Sequence, residues 1–360
     1  VTGKTALLAA GGTGGHLFPA EALAVELLDR GWTVDLATDH RADQYTRWPG
    51  RAVHIVPADT IRGRDPIALA RTALTLGRGI VAAWRLIGRV RPDIVVGFGG
   101  YPSIPPIVAA YLRAIPTVLH EANAVMGRAN RALAARVTRL ATSWPATRGA
   151  VPFAAKTVLT GMPVRPAVRA AAGLAYDAAA PRLSLLVFGG SQGAQAFADL
   201  VPPAVIALED DLRARLDVTQ QVRAEDMARV AESYAQADIS ADLAPFFRDL
   251  PERIARAHLV VSRSGASSVA ELATVGRPAV LIPFPHALDN DQLRNAEAMQ
   301  AVGGGILAEQ KTLTGDALTR HLAGLLGDPA RLQRMASAAA TLGRPDAARR
   351  LADLVEHTAR

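Results

Sequence analysis

Thr5-Ala6-Leu7-Leu8-Ala9-Ala10-Gly11-Gly12-Thr13-Gly14-Gly15-His16 is the stretch from which the fold can be read. A short apolar run ends in glycines, and a helical pattern follows from about Pro19 to Arg30. An apolar run without polar alternation suits a strand buried on both faces, and a strand that feeds a helix through a tight glycine turn opens a βαβ unit. The theme continues with strand candidates at Thr33–Thr38, Val53–Val56, Asp93–Gly97, Thr117–His120 and Leu140–Thr142. After an Ala-rich, proline-bounded passage it restarts at Leu183–Phe188, followed by Arg215–Val218, Leu259–Ser262 and Ala279–Ile282. The chain therefore reads as α/β, with two doubly wound, Rossmann-like parallel-sheet domains. The expected division is 1–163 and 164–346, with the terminal helix 347–360 returning to the first domain. No period of about 20–50 residues recurs, which excludes a solenoid.

Composition agrees with two cores. At roughly 150 residues per domain, 360 residues suggest two domains. With 50% hydrophobic and 20% charged residues, the chain can bury enough apolar surface to offset its ordering entropy. Cysteine is absent, which excludes a disulfide framework, a thiolate metal site and a cysteine nucleophile. The formal charge is +7, and Lys4, Lys156 and Lys311 are the only lysines among 40 basic residues. A basic surface suits a phosphate-bearing ligand or an anionic membrane. Nucleic acid is not expected as a partner, because aromatic residues are few and no binding motif stands out. Apolar stretches such as Ile104–Leu119 are interrupted by Pro105, Pro106, Arg113 and Pro116, so no spanning helix is expected. The run Ala6–Ala10 ends in glycines, so no secretory signal is expected.

Three glycine turns follow strands: Gly11–His16, Gly97-Phe98-Gly99-Gly100-Tyr101, and Gly189-Gly190-Ser191-Gln192-Gly193. Glycine admits backbone N–H groups close to a phosphate, and a helix N-terminus adds positive partial charge. Steric demands of a tight turn account for any one of them equally well. A P-loop is excluded because no Gly-Lys-Ser/Thr follows, and the dinucleotide pattern fails where Leu17 occupies the third glycine position. Asp39, near the end of the second strand, keeps an NAD-dependent oxidoreductase as an alternative.

A fourth turn, Ser262-Arg263-Ser264-Gly265-Ala266-Ser267-Ser268-Val269-Ala270-Glu271, leads from a strand into a helix whose start suits a diphosphate. Glu271, one turn in, can accept ribose hydroxyls or merely complement the helix dipole. Pro283-Phe284-Pro285-His286 leads to Asp289-Asn290-Asp291-Gln292, in which Asp289 and Asp291 read as a helix cap rather than a metal site. On a helical wheel through Leu69–Val90, Arg71, Arg78, Arg85 and Arg89 fall within about 40° of one another. Leu69, Leu76, Ile80, Trp84 and Ile87 lie opposite, as a core face or a membrane-surface contact. Gly77 and Gly79 allow a break there.

The glycine turns, His120-Glu121-Ala122-Asn123 and Ser264-Gly265…Glu271 occur in one order across nearly the whole chain, and this order closely resembles the MurG family of bacterial glycosyltransferases. The resemblance implies a GT-B fold of two Rossmann-like domains facing a deep cleft. It implies transfer of N-acetylglucosamine from UDP-GlcNAc to lipid I, a polyprenyl-diphosphate acceptor, giving lipid II at the cytoplasmic face of the inner membrane. No cofactor or metal is implied. The acceptor belongs to the first domain, with Tyr101 among the binding residues, and UDP-GlcNAc mainly to the second. Ser191, Gln192 and Gly193 meet the diphosphate, with Thr13, Gly14 and Gly15 closing on it. Arg165 reaches the nucleotide, Phe246 or Phe247 lies against the uracil, and Ala266–Glu271 hold phosphate and ribose. Asn123, Gln292 and the neighbouring Asp291 belong to the sugar site, and Leu76, Ile80 and Trp84 to an anionic membrane contact.

Three positions depart from the family pattern. Ala122 replaces Gln, Met162 replaces Asn in Gly161-Met162-Pro163, and Asp291 replaces Gln, so the fine sugar contacts are the open part. Inverting transfer needs a base for the acceptor hydroxyl and charge stabilisation for the leaving diphosphate. His16 is the candidate base, or it orients the acceptor; Glu121 is the second candidate. A GT-B enzyme with another acceptor and a UDP-GlcNAc epimerase are the related alternatives.

Overall fold

Parallel strands cannot be joined by a hairpin, so each apolar run must be followed by a crossover, usually a helix. The computed structural model describes residues 3–11, 14–40, 48–58, 66–190 and 194–360, with 66–69 and 288 as backbone only. The chain divides into two units, Val1–Arg165 with Arg344–Arg360, and Pro166–Gly343.

The first unit contains β1 (Thr5–Ala9), α1 (Gly14–Asp29), β2 (Thr33–Thr38), β3 (Ala52–Ile55), α2 (Pro66–Val90) and β4 (Ile94–Gly97). It continues through α3 (Ile104–Leu112), β5 (Thr117–Glu121), α4 (Arg128–Leu133), β6 (Arg139–Thr142) and β7 (Thr157–Leu159). Its sheet has the order β3-β2-β1-β4-β5-β6-β7. Every ladder is parallel, with Leu8 paired to Leu36 on one side and Val96 on the other.

The second unit begins with α5 (Pro166–Ala171), β8 (Leu183–Phe188), α6 (Gln195–Ile206), α7 (Asp210–Arg213), β9 (Leu216–Gln221), α8 (Met227–Gln236) and β10 (Ala241–Ala244). It ends with α9 (Leu250–Arg256), β11 (Leu259–Ser262), α10 (Ala266–Val275), β12 (Ala279–Leu281), α11 (Asp291–Ala301), β13 (Gly305–Leu307), α12 (Gly315–Leu326) and α13 (Pro329–Leu342). Its order, β10-β9-β8-β11-β12-β13, is also parallel throughout. Both sheets have the doubly wound order 3-2-1-4-5-6, the first with one further edge strand. The order reverses between β1 and β4, and again between β8 and β11.

The final helix, α14 (Ala347–Thr358), belongs to the first unit. Leu351 and Val355 are fully buried in the cluster formed with α1 and the central strands, each contributing roughly 1.5–3 kcal/mol of apolar burial. Arg30 anchors the helix polar side, donating to Asp353 at 2.8 Å and Glu356 at 2.9 Å. The opposite sheet face is covered by α2, α3 and α4 through Ala83, Ile87, Ile107 and Leu133.

Two expectations need correction. Helix α2 is continuous across Gly77 and Gly79. A Cβ on Gly79 would lie 2.1 Å from the Pro57 carbonyl oxygen, so this glycine serves a close backbone approach and not a break. The strand expected at Arg215–Val218 instead runs Leu216–Gln221. Strands β7, β10 and β13 were not anticipated; each is an edge strand of three or four residues.

Arg277 is 2% exposed, and among the described residues no acidic side chain is recorded as its partner. Its guanidinium donates to the carbonyls of Ala255, Val275, Gly276 and Leu174, which collect at the carboxyl ends of α9 and α10 and in the turn after α5. The partial negative charge of helix C-termini takes the place of a carboxylate. Replacing Arg277→Met would leave several buried acceptors unpaired, and the expected loss is on the order of 3–5 kcal/mol. A urea titration followed by circular dichroism checks this; a midpoint within error of the parent would show that the carbonyls find other donors.

Candidate functional site

At a reversal of strand order the crossovers leave to opposite faces, opening a crevice outside the carboxyl ends of the two central strands. In the first unit this places the turns after β1 and β4 side by side. Their glycines enclose His16, in the first turn of α1. A Cβ on Gly11 would be 3.2 Å from its Nδ1, one on Gly100 3.4 Å from Cε1, and one on Gly99 3.6 Å from Cδ2. Gly99 and Gly100 have φ of +84° and +73°, a conformation that favours glycine. The second glycine turn thus bends back over the imidazole, and Tyr101 follows it half-buried. Gly14 is buried and Gly15 faces open space; Gly12 and Thr13 lie outside the described residues.

Beneath the turns is a polar cluster at the end of β5. Glu121, 2% exposed, accepts the Asn123 N–H at 2.9 Å, the Gly127 N–H at 2.9 Å and the Asn130 amide at 2.8 Å, with the Asn123 amide at 3.4 Å. Burial raises its pKa above the usual carboxylate range while these four donors oppose the shift. The carboxylate therefore acts as a clasp that shapes the loop from Ala122 to α4 and orients Asn123. His120 is fully buried, with Nε2 at 3.1 Å from the Gly161 carbonyl and 3.3 Å from Ser143 Oγ. Its Nδ1 has no hydrogen-bond partner among the described residues. Burial, aided by the nearby His16 and opposed by the hydrogen bond to the Gly161 carbonyl, pushes its pKa down to about 4. Asn130 was missed from sequence, since an asparagine on a short helix gives no signal until β5 is placed beside it.

Arg165 stacks its guanidinium over the Phe18 ring at 4.8 Å and faces Glu21 on α1. At the sites of departure, the buried Ala122 offers its carbonyl to Trp144 Nε1 at 3.0 Å, and Met162 Sδ accepts from Ser143 at 3.7 Å.

In the second unit the reversal lies between β8 and β11. Ser191, Gln192 and Gly193 lie outside the described residues, but Gly189 and Gly190 are held by Gln221. The Gln221 side chain accepts the Gly189 N–H at 3.0 Å and donates to the carbonyls of Gly190 and Pro245, both at 3.1 Å. It thereby joins the third glycine turn to the loop that carries Phe246. Of the two phenylalanines, Phe246 is 56% exposed, whereas Phe247 is buried under the Arg253 guanidinium at 4.2 Å. That corrects the open pair: the Phe247 face is already occupied.

The fourth turn opens α10 at Gly265, where an added Cβ would meet open space. The N–H groups of Ala266, Ser267 and Ser268 belong to the first helical turn, which lacks intrahelical acceptors. Val269 is a correction, because its side chain is core and its N–H donates to the Gly265 carbonyl at 3.0 Å. Ala270 is half-buried and Glu271 is 5% exposed. Ser264 Oγ donates to the Gln292 carbonyl at 2.8 Å, and Gln292 Oε1 accepts the Phe284 N–H at 2.9 Å. Asp291 caps the Gln292 N–H at 2.7 Å, and burial raises its pKa. Arg263, unnoticed in the sequence, donates to the carbonyls of Ile282 and Pro283 between the rings of Phe197 and Phe284, and burial pushes its pKa down to about 10. Among the described residues no group of three or more His, Asp and Glu is placed to hold a metal ion.

On α2, Arg71, Arg78, Arg85 and Arg89 are exposed. The apolar face of the wheel is mostly packed inward, however: Ile87 is 1% exposed and Leu76 and Ile80 are half-buried. Among the described side chains of α2, Leu74, Val81 and Trp84 are the exposed large apolar residues; Tyr111 and Leu112 of α3 are exposed too, and Arg113 stacks on Trp84 at 4.0 Å. The Leu69 side chain lies outside the described residues. No helix among the described residues is long and apolar enough to cross a membrane.

Two parallel sheets of this order, each with glycine turns at its reversal, are those of the GT-B fold, and the family match makes the class a glycosyltransferase. Residues 6–142 match the glycosyltransferase family 28 N-terminal domain and residues 184–351 its C-terminal domain, and the chain belongs to that family. A relative from Rhodopseudomonas palustris is 55% identical over 98% of both chains, and one from Chelativorans is 52% identical over 99% of this chain and 96% of its own. Both are named UDP-N-acetylglucosamine--N-acetylmuramyl-(pentapeptide) pyrophosphoryl-undecaprenol N-acetylglucosamine transferase. The crystal structure of Acinetobacter baumannii MurG is 28% identical, with a TM-score of 0.81 over 98% of this chain and 99% of that one. A Neisseria meningitidis UDP-GlcNAc 2-epimerase, at 12% identity and a TM-score of 0.69, shares the fold alone.

The buried His120 makes stability depend on pH. Its pKa is depressed in the fold, so as pH falls through about 6.5 the unfolded chain takes up a proton that the folded chain refuses. Stability from this residue is present above that pH and is lost progressively down to about pH 4, by roughly 3 kcal/mol in total. Urea midpoints of the parent and of His120→Asn between pH 7.5 and 4.5 should converge as pH falls; parallel profiles would contradict the assignment.

Proposed function

We infer that this chain transfers N-acetylglucosamine from UDP-GlcNAc to the MurNAc of lipid I, producing lipid II and UDP in peptidoglycan synthesis. Full-length identity above 50% to transferases named for that reaction carries the reading. The donor is assigned to the second unit. Phe246 offers its face to the uracil, and Gly189–Gly193 with the N–H groups of Ala266–Ser268 receive the diphosphate. Glu271 takes the ribose hydroxyls, and Gln292, already oriented by Phe284, takes the sugar. The acceptor and His16 belong to the first unit, with Tyr101 among the acceptor's binding residues; Thr13–Gly15 are assigned to the diphosphate, Asn123 to the sugar hydroxyls and Arg165 to the nucleotide.

In the reaction the acceptor C4 oxygen forms a bond to the anomeric carbon while the bond from that carbon to UDP breaks. The bonding pair leaves with the diphosphate, and the configuration inverts from α to β. His16 takes the hydroxyl proton. Glu121 is the weaker candidate, because four N–H groups already occupy its oxygens. Helix N-termini stabilise the charge that develops on the leaving diphosphate.

UDP release measured with and without a short-chain lipid I analogue tests the reaction. Release that requires the analogue and yields a disaccharide supports it; release or epimerisation without acceptor would favour the related GT-B reading. His16→Ala should lower kcat by about 10²–10⁴-fold with UDP affinity unchanged. Near-parental turnover would remove His16 as base.

A polyprenyl acceptor resides at a bilayer, and the α2 surface suits peripheral contact with the anionic cytoplasmic face. Arginines would meet lipid headgroups while Leu74, Val81 and Trp84 enter the interface. In a sedimentation assay, Trp84→Ala with Val81→Asp should reduce binding to vesicles containing phosphatidylglycerol without changing UDP affinity. Unchanged sedimentation would place the contact elsewhere.

A further inference from the structure

Ser264 lies in the turn between β11 and α10 and is fully buried, so it is out of reach of any ligand. Its hydroxyl donates to the Gln292 carbonyl at 2.8 Å, and its own carbonyl accepts the buried Asn295 amide at 3.1 Å. A helical carbonyl keeps a second lone pair for such a donor. The α10 turn is thus fastened to the first two turns of α11. Arg263, its neighbour in the chain, reaches the other way, donating to the carbonyls of Ile282 at 3.0 Å and Pro283 at 3.2 Å. The next N–H, that of Phe284, donates to Gln292 Oε1 at 2.9 Å. The contacts therefore close on themselves: Arg263 to Pro283, Phe284 to Gln292, Gln292 to Ser264, and Ser264 to Arg263 along the chain.

Such a circuit matters for what it holds still. Asp289 and Asn290 lead into α11 with φ of +55° and +53°, a conformation costly for residues with side chains that persists only where its surroundings fix it. Glutamine has several rotatable side-chain bonds, and ordering them opposes binding unless it is done before the ligand arrives. With Oε1 committed to Phe284, Nε2 is the group of Gln292 left to donate to a hydroxyl. The same circuit contains the turn that opens α10, whose first N–H groups lack intrahelical acceptors. Groups suited to a diphosphate and a group suited to a sugar are thereby held in one frame, although they come from different crossovers of the sheet.

We propose that Ser264 is a positioning residue for the donor: through the Gln292 carbonyl it keeps Gln292 in register with the α10 turn, so that a nucleotide sugar meets a preformed amide. Arg263 holds the opposite side of the same circuit. This rests on the reading of the second unit as the UDP-GlcNAc site.

Calorimetric affinities for UDP-GlcNAc and for UDP, measured on the parent, Ser264→Ala, Gln292→Ala and the double variant, provide the test. Gln292→Ala should weaken UDP-GlcNAc binding about tenfold and Ser264→Ala about fivefold, with UDP affinity changed less than twofold in both. In the Gln292→Ala background, Ser264→Ala should cost less than a further twofold, because the residue it positions is gone. A merely structural role would weaken UDP and UDP-GlcNAc alike and would persist in that background; either result overturns the proposal, as do parental affinities in either single variant. A second readout needs no ligand. The side-chain amide signals of Gln292 in a nitrogen-15 correlation spectrum, assigned by their loss in Gln292→Ala, should shift in Ser264→Ala, and unmoved signals would contradict the positioning role. The two levels separate cleanly. A parent that does not bind UDP-GlcNAc removes the donor-site reading itself, whereas binding with additive effects of the two substitutions removes only the role of Ser264.

Discussion

Reversal of strand order beside β1 and β8 is the constraint from which the rest of this molecule follows. Helices that leave neighbouring parallel strands toward opposite faces cannot fill the space outside the strand ends, so backbone N–H groups and helix N-termini collect there. In the first unit Gly11, Gly99 and Gly100 use that space to surround His16. In the second unit Gln221 ties the β8 turn to the Phe246 loop, and Gly265 opens α10 onto free space. Both units meet the same topological demand with different chemistry: an imidazole in one, helix-start amides in the other.

Buried polar groups then stabilise what the topology opens. Glu121, Arg263 and Arg277 are each removed from water, and among the described residues none is matched to a simple opposite charge. Glu121 is satisfied by amides, Arg263 by carbonyls and aromatic faces, and Arg277 by helix C-termini. Each ties together segments that are distant in sequence. A buried ion with one satisfactory set of partners tolerates few alternative arrangements, because losing any partner leaves an unpaired group in a medium of low dielectric. In that way loops keep their shape while the binding edge stays open.

The α2 surface shows how a wheel can mislead. Opposition of arginines to Leu76, Ile80 and Ile87 was legible, yet most of that apolar arc packs inward, partly against α3. Among the described side chains, the exposed Leu74 and Val81 sit between arc and arginines, with Trp84 on the edge of the arc nearest them. A wheel has two edges, and which one a helix turns toward solvent depends on its neighbour.

From the sequence alone came the α/β class, the two doubly wound domains, the glycine turns and the family, because each rests on local pattern: strand-length apolar runs, helical periodicity, and glycine where backbone must bend or approach. Edge strands β7, β10 and β13 were illegible, since three or four residues carry too little pattern and their pairing is supplied by a neighbour. The same holds for the site. His16 and Glu121 could be singled out by residue type, but that Glu121 is saturated with donors, that Phe247 is occupied while Phe246 is free, and that Val269 belongs to the core are consequences of contacts between distant segments. Local preferences are written in short stretches of chain; burial and hydrogen-bond satisfaction are properties of the assembled whole, and only the tertiary structure decides them.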